Sequence, residues 1–106
     1  MVLNIKNYNN IFFVGIGGIS MSGLALLLKA DGKQISGSDI CKNQITKKLK
    51  NNGIKVFNKH SAKNIKGCDL VVFSGAVPSE NPEVKEAQKQ NIPVLEQRME
   101  KIQSMN

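Results

Sequence analysis

Tryptophan is missing from this 106-residue chain, which has only one His, one Tyr, two Cys and three Pro. Each scarcity excludes something. A single histidine, His60, cannot build a histidine-based zinc cluster. Cys41 and Cys68 are too few, and too far apart, for a disulfide framework or a C-x-x-C metal or redox motif. Both are read as ordinary reduced thiols of the buried, structural kind. Aromatic residues make up 5% of the chain, and no arginine-rich or aromatic-interleaved patch is present to track a phosphate backbone or stack bases. No nucleic-acid partner is therefore expected, in spite of a net charge of +7 and a pI near 9.6. The local cluster Lys47, Lys48 and Lys50 reads as a solvated helix face. No apolar tract approaches the ~18 residues of a membrane span. The opening MVLNIKNYNN is polar where the apolar core of a secretory signal would lie, so a cytoplasmic setting with no membrane partner is the expectation.

What is present is an alternation. The chain is long enough for one domain that buries about 65% of the surface its unfolded form exposes. NIFFVG is a short apolar run ending in glycine, the signature of a strand buried on both faces. ISMSGLALLLKADG follows, with Leu24, Leu27 and Leu28 at helical spacing and Gly32 as the stop. KQISGSD gives a second strand. NQITKKLKNNG gives a helix with Ile45 and Leu49 four apart, ending at Gly53. IKVF is a third strand, KHSAKNIKGC a polar connection, and DLVVFSG a fourth strand. In AVPSENPEVKEAQKQN, Asn81 is placed to cap a helix, Pro82 to occupy its first position, and Glu83 and Glu86 to favour its positive end. IPVLEQ is a fifth strand, and the last residues are read as a final helix. Strands separated by crossovers this long run parallel. The fold class expected is α/β, a Rossmann-like doubly wound parallel sheet of about five strands with helices on both faces.

In such a sheet the turn after the first strand lies at the carboxyl edge, where ligands bind. The helix that follows begins with unpaired N–H groups and a partial positive charge. Here that turn reads GIGGISMSG. Gly15 permits a tight turn, Gly17 allows phosphate oxygens to approach the backbone, and Gly18 extends a surface without side chains. The sixth position of G-x-G-x-x-G is Ser20, small enough for the packing role of the third glycine, and Ser20 and Ser22 both offer hydroxyls. Asp39 ends the second strand about twenty residues on, where a carboxylate can accept from ribose hydroxyls. It can equally cap a turn.

The stretches FFVGIGGISMSGLALLL, GKQISGSD, GIKVFNKHSAKNI, DLVVFSGAVPSENPEV and NIPVL together resemble the N-terminal domain of the bacterial Mur ligases, in order and over nearly the whole chain. The resemblance is strongest to members that add L-alanine to UDP-N-acetylmuramic acid. It implies that residues 1–106 form a single UDP-sugar-binding domain of a longer peptidoglycan-synthesis ligase. The glycine loop, Gly15, Gly17, Gly18, Ile19, Ser20, Met21 and Ser22, would cradle the diphosphate, and Ser38 and Asp39 would approach the uridine. His60, Ser74, Gly75 and Ala76 would border the nucleotide-sugar, although His60 also reads as a surface-loop histidine and Ser74 as a strand-end cap. The commoner family form has glycine at Ser20 and histidine at Phe12, and EQRMEKIQSMN does not follow the arginine-containing segment expected there. The full family enzyme would use ATP and Mg2+. This chain has no G-x-x-x-x-G-K-[ST] stretch, so no cofactor is expected to bind it and no catalytic residue is assigned.

Other readings stay open at this point. The glycines and Asp39 suit the NAD(H)-binding domain of a dehydrogenase or regulatory protein, and a noncatalytic interaction module could use the sheet edge. Within the family, the ligase that reattaches recycled tripeptide shares this domain's task.

Overall fold

The apolar run after Tyr8 forms β1 (Asn10–Val14), in which Ile11, Phe12, Phe13 and Val14 are all fully buried. Four successive buried side chains require cover on both faces of a sheet. The computed structural model, which describes residues 5–78 and 80–97, supplies it. The remaining strands and α-helices among the described residues are α1 (Ile19–Ala30), β2 (Gln34–Ser38), α2 (Gln44–Asn51), β3 (Lys55–Phe57), β4 (Leu70–Ser74), α3 (Pro82–Lys89) and β5 (Val94–Gln97). The strands are parallel in the order β3-β2-β1-β4-β5. The chain winds from β1 outward to β3, then returns to the other side of β1 for β4. The order thus reverses between β1 and β4, the switch point at whose carboxyl edge open α/β sheets bind ligands.

One face packs Ile11, Phe13, Ile35 and Val72 against Met21, Ala25 and Leu28 of α1 and Leu49 of α2. The other packs Phe12, Val14 and Val71 against Val84 and Ala87 of α3 and Ile65. Ile65 belongs to a 3-10 turn over Ala62–Ile65, inside the stretch that reads as a plain polar connection. The core side of α1 is Met21, Ala25 and Leu28. Leu27, which shares the helical spacing, is 67% exposed because its position faces away from the sheet. Gly37 pairs with Phe13 across β1 and β2. A Cβ there would lie 2.5 Å from the Phe13 carbonyl oxygen and 2.8 Å from Ile16 Cβ, so only glycine lets the β1 end and its turn close against β2. Cys41 and Cys68 are both free, and Cys41, expected to be buried, is exposed in the loop after β2. No helix among the described residues is long and apolar enough to cross a membrane. The expected final helix lies outside the described residues.

Candidate functional site

The turn from β1 into α1 consumes its first amides internally. The Ser38 carbonyl accepts from Gly15 N–H at 2.8 Å and Ile16 N–H at 3.0 Å, and Gly15, at φ +77°, accepts from Gly18 N–H at 3.2 Å. Gly17 N–H donates to Asp39 Oδ2 at 2.7 Å. The first bond within the helix is Ser22 N–H to the Gly18 carbonyl, 2.8 Å. Between them stand the amides of Ile19, Ser20 and Met21, the orphan donors of the first turn. The N-cap is Gly18, and no side chain caps this helix.

These residues open onto a cavity of about 620 Å3. Gly15, Gly18, Ile19, Ser20 and Met21 form one wall, Ser74 at the end of β4 with Gly75 and Ala76 after it the second, and Glu96 and Gln97 of β5 the third. The cavity therefore sits at the switch point. Among its described lining residues Glu96 is the titratable group and none is a lysine or arginine, so the attraction for an anion that these residues offer is that of backbone N–H groups and the helix dipole. Ser22 turns away, with Oγ donating to the Ile19 carbonyl at 3.1 Å from a buried position.

Asp39 binds the two loops together. Its Oδ2 accepts from Gly17 N–H and its Oδ1 from Cys41 N–H at 2.9 Å, so the turn-capping role is realised. A carboxylate has about four acceptor sites, which leaves capacity for a ligand. The need for glycine at 17 has its cause here. A Cβ at that position would lie 2.6 Å from Asp39 Oδ2 and 3.1 Å from Thr46 Cγ2. The expected reason for glycine here is the approach of a phosphate, whereas the group it admits in this structure is a carboxylate of the same chain.

Ser38 is fully buried, and its hydroxyl donates to Glu83 Oε1 at 2.7 Å. His60 Nδ1 lies 2.9 Å from the same carboxylate oxygen and 3.0 Å from Ser38 Oγ. Glu83 Oε2 accepts from Asn64 Nδ2 at 2.7 Å and Ser61 N–H at 3.3 Å. Serine, histidine and a carboxylate are thus in contact, but serine and acid share one ring nitrogen. A nucleophilic triad needs them on opposite nitrogens, so the cluster is a brace and not a catalytic relay. Glu83, expected to do no more than favour the helix dipole, is 0% exposed.

Glu83 carries no site role in the sequence, and neither Glu96 nor Gln97 stands out there. The last two could have been found by asking which residues end the strand beside β4. No local signal distinguishes Glu83 from Glu86. A separate groove of about 400 Å3 runs along Lys42, Asn43, Gln44, Thr46, Lys47 and Lys50 at the start of α2. Lys47, Lys48 and Lys50 are exposed, as a solvated face requires.

Residues 10–105 match the family model described as "Mur ligase family, catalytic domain". Over 95 residues the chain is 48% identical to UDP-N-acetylmuramate--L-alanine ligase of Acetivibrio thermocellus, covering 90% of this chain and 20% of that protein. Among solved structures it resembles UDP-N-acetylmuramate-alanine ligase MurC of Thermotoga maritima, with a TM-score of 0.79 and 40% identity over 82% of this chain and 20% of that one. It also resembles UDP-N-acetylmuramate:L-alanyl-gamma-D-glutamyl-meso-diaminopimelate ligase from Neisseria meningitides, with a TM-score of 0.76 and 25% identity over 83% of this chain and 28% of that one. The chain spans about a fifth of the length of the curated relatives it matches.

Proposed function

This chain belongs to the Mur ligase family, and from that premise we propose that it binds the UDP moiety of UDP-N-acetylmuramic acid for a longer, ATP-dependent ligase that adds L-alanine to that substrate in the cytoplasm. The observation that carries the reading is the uncapped N-terminus of α1, whose three amides open onto a cavity at the switch point. A diphosphate is the anion that fits such a terminus, and about 620 Å3 lies within the range of small-ligand sites. With the diphosphate on Gly18, Ile19, Ser20 and Met21, the uridine extends toward Asp39 and His60. The sugar side meets Ser74, Gly75, Ala76, Glu96 and Gln97. Gly15, Gly17, Ser22 and Ser38 support this surface from behind through their internal bonds. L-alanine is favoured over a tripeptide as the acceptor by 48% and 40% identity to alanine-adding ligases against 25% to the tripeptide ligase.

The residues present do not fit ATP or magnesium. No G-x-x-x-x-G-K-[ST] stretch occurs, and among the described residues no group of three or more His, Cys, Asp or Glu is placed to hold a metal ion. In this reading ATP and Mg2+ belong to other parts of the full enzyme, and this chain binds and orients. Calorimetry with UDP, UDP-N-acetylmuramic acid and NADH tests it. Binding of the two uridine ligands with no heat from NADH is expected, together with no alanine-dependent phosphate release by the chain alone. NADH binding without UDP binding would overturn the reading in favour of a nicotinamide site.

A further inference from the structure

We propose that Glu83 is a positioning residue for the nucleoside half of the site, an inference that rests on the reading of this edge as a UDP site. Its carboxylate is fully buried in a small domain. Burying a charge there is costly, and an apolar side chain of similar volume often serves stability as well. The carboxylate instead joins three separate pieces of chain. From α3 it reaches Ser38 Oγ at the end of β2 and His60 Nδ1, Ser61 N–H and Asn64 Nδ2 in the loop after β3. The first of these segments is tied to the α1 turn, because Asp39 beside Ser38 accepts from Gly17 N–H, and the second touches the first at Ser38 Oγ, so in the UDP reading both serve the nucleoside end.

Two consequences follow from the geometry. Ser38 precedes Asp39, and its carbonyl anchors the amides of Gly15 and Ile16. A fixed Ser38 therefore fixes the turn from which Asp39 faces the ligand. On the other arm, the side chain of His60 is 28% exposed. Its Nδ1 lies 2.9 Å from a carboxylate oxygen that can only accept, so Nδ1 carries the hydrogen in the neutral ring. Nε2 is left as an acceptor, matched to a uridine donor such as a ribose hydroxyl or the uracil imide N–H. Glu83 thus sets both the place and the tautomer of His60, as outer partners do for histidine ligands elsewhere.

The test compares the unaltered chain with Glu83→Gln, a near-isosteric change, by imidazole 15N spectra at a pH where His60 is neutral and by titration with UDP and inorganic pyrophosphate. The unaltered chain should show Nδ1–H, and the variant should shift toward Nε2–H, because the new amide can donate to Nδ1. UDP affinity should fall about tenfold, the effect of losing a charged hydrogen-bonded support, while pyrophosphate affinity stays the same. Equal loss for both ligands, or an unchanged tautomer, would overturn the proposal by showing Glu83 to be structural only. If neither chain binds UDP, the reading of the site fails and the proposal with it. That result is distinct from equal UDP binding by both, which defeats the proposal alone. Should the glutamine variant not fold, Ser38→Ala cuts the same arm and should again weaken UDP selectively.

Discussion

The three α-helices among the described residues begin at the same edge of the sheet, and they begin differently. At α2 the Asn43 side chain accepts from Thr46 N–H at 3.0 Å while Thr46 Oγ1 accepts from Asn43 N–H at 3.0 Å, a reciprocal capping box. At α3 Pro82 occupies the first turn, and Asn81 Oδ1 accepts from Glu83 N–H at 2.8 Å and Val84 N–H at 3.2 Å. Both termini close themselves. At α1 the cap position holds glycine, and three amides are left to a cavity. Leaving a helix end uncapped costs about 1 kcal/mol relative to a good cap side chain such as Asn or Ser where the alternative is alanine, and less where it is glycine. A helix start that forgoes this small gain, beside two that take it, is the contrast on which the proposed diphosphate site rests.

The contrast can be broken most severely at the turn itself. Gly17→Val forces a branched side chain into the space of Asp39 Oδ2 and Thr46 Cγ2. UDP affinity should fall more than about hundredfold, and the melting temperature should fall too, as scanning calorimetry of the free protein would show. An unchanged melting temperature would mean that the Asp39 contact does not hold the turn. Next in size is Asp39→Ala, which removes the acceptor of both Gly17 N–H and Cys41 N–H. Bonds to charged acceptors are worth about 1.5–3 kcal/mol, so UDP should bind ten- to hundredfold more weakly. Titration of UDP at one ionic strength measures this, and an undiminished affinity would show that Asp39 has no part in UDP binding.

A smaller and opposite pattern is expected at the closed terminus. Asn81→Ala should lower stability by about 1 kcal/mol, or roughly 4–8 °C in melting temperature, with pyrophosphate affinity unchanged. A loss of pyrophosphate binding there would mean that the two termini are not independent. The smallest effect separates the two cysteines. Cys41 lies in the exposed loop beside Asp39, so bound UDP should slow its alkylation. Cys68, at the far edge before β4, should not react at neutral pH. Burial, helped by the charge of Asp69, pushes its thiol from 9.0 up to about 11. The same shift means that the stability linked to Cys68 is intact below pH 9 and declines as pH rises toward 11, since only the unfolded chain releases the proton readily. Peptide mapping after iodoacetamide treatment reads both sites.

The sheet and its open edge were legible because their signals are local. Runs such as NIFFV and LVVFS announce buried strands, Asn81 and Pro82 announce a helix start, and three glycines between strand and helix announce an uncapped turn. The lost detail depends on contacts between distant positions. Gly17 and Asp39 are 22 residues apart, and nothing near either says that the carboxylate fills the space the glycine leaves. Glu83 and Glu86 look alike on α3, yet the first meets Ser38 across 45 residues and is fully buried. Leu27 shares the apolar character of Leu28 and differs only in its angle around the helix.

Whether α1 is left uncapped so that a ligand can cap it is decided by supplying a cap. Gly18 has φ −65° and ψ 153°, an extended conformation open to any residue, and a Cβ there meets nothing closer than 3.6 Å. Gly18→Asp should therefore fold normally and place a carboxylate on the amides of Ser20 or Met21. Melting and UDP titration of that one variant should move in opposite directions. Stability should rise by about 1 kcal/mol, from the cap, the helix dipole and the loss of glycine's freedom in the unfolded chain. UDP affinity should fall by about hundredfold or more, as an anion already occupies the terminus. UDP bound by Gly18→Asp as tightly as by the unaltered chain would contradict the claim and move the diphosphate away from α1.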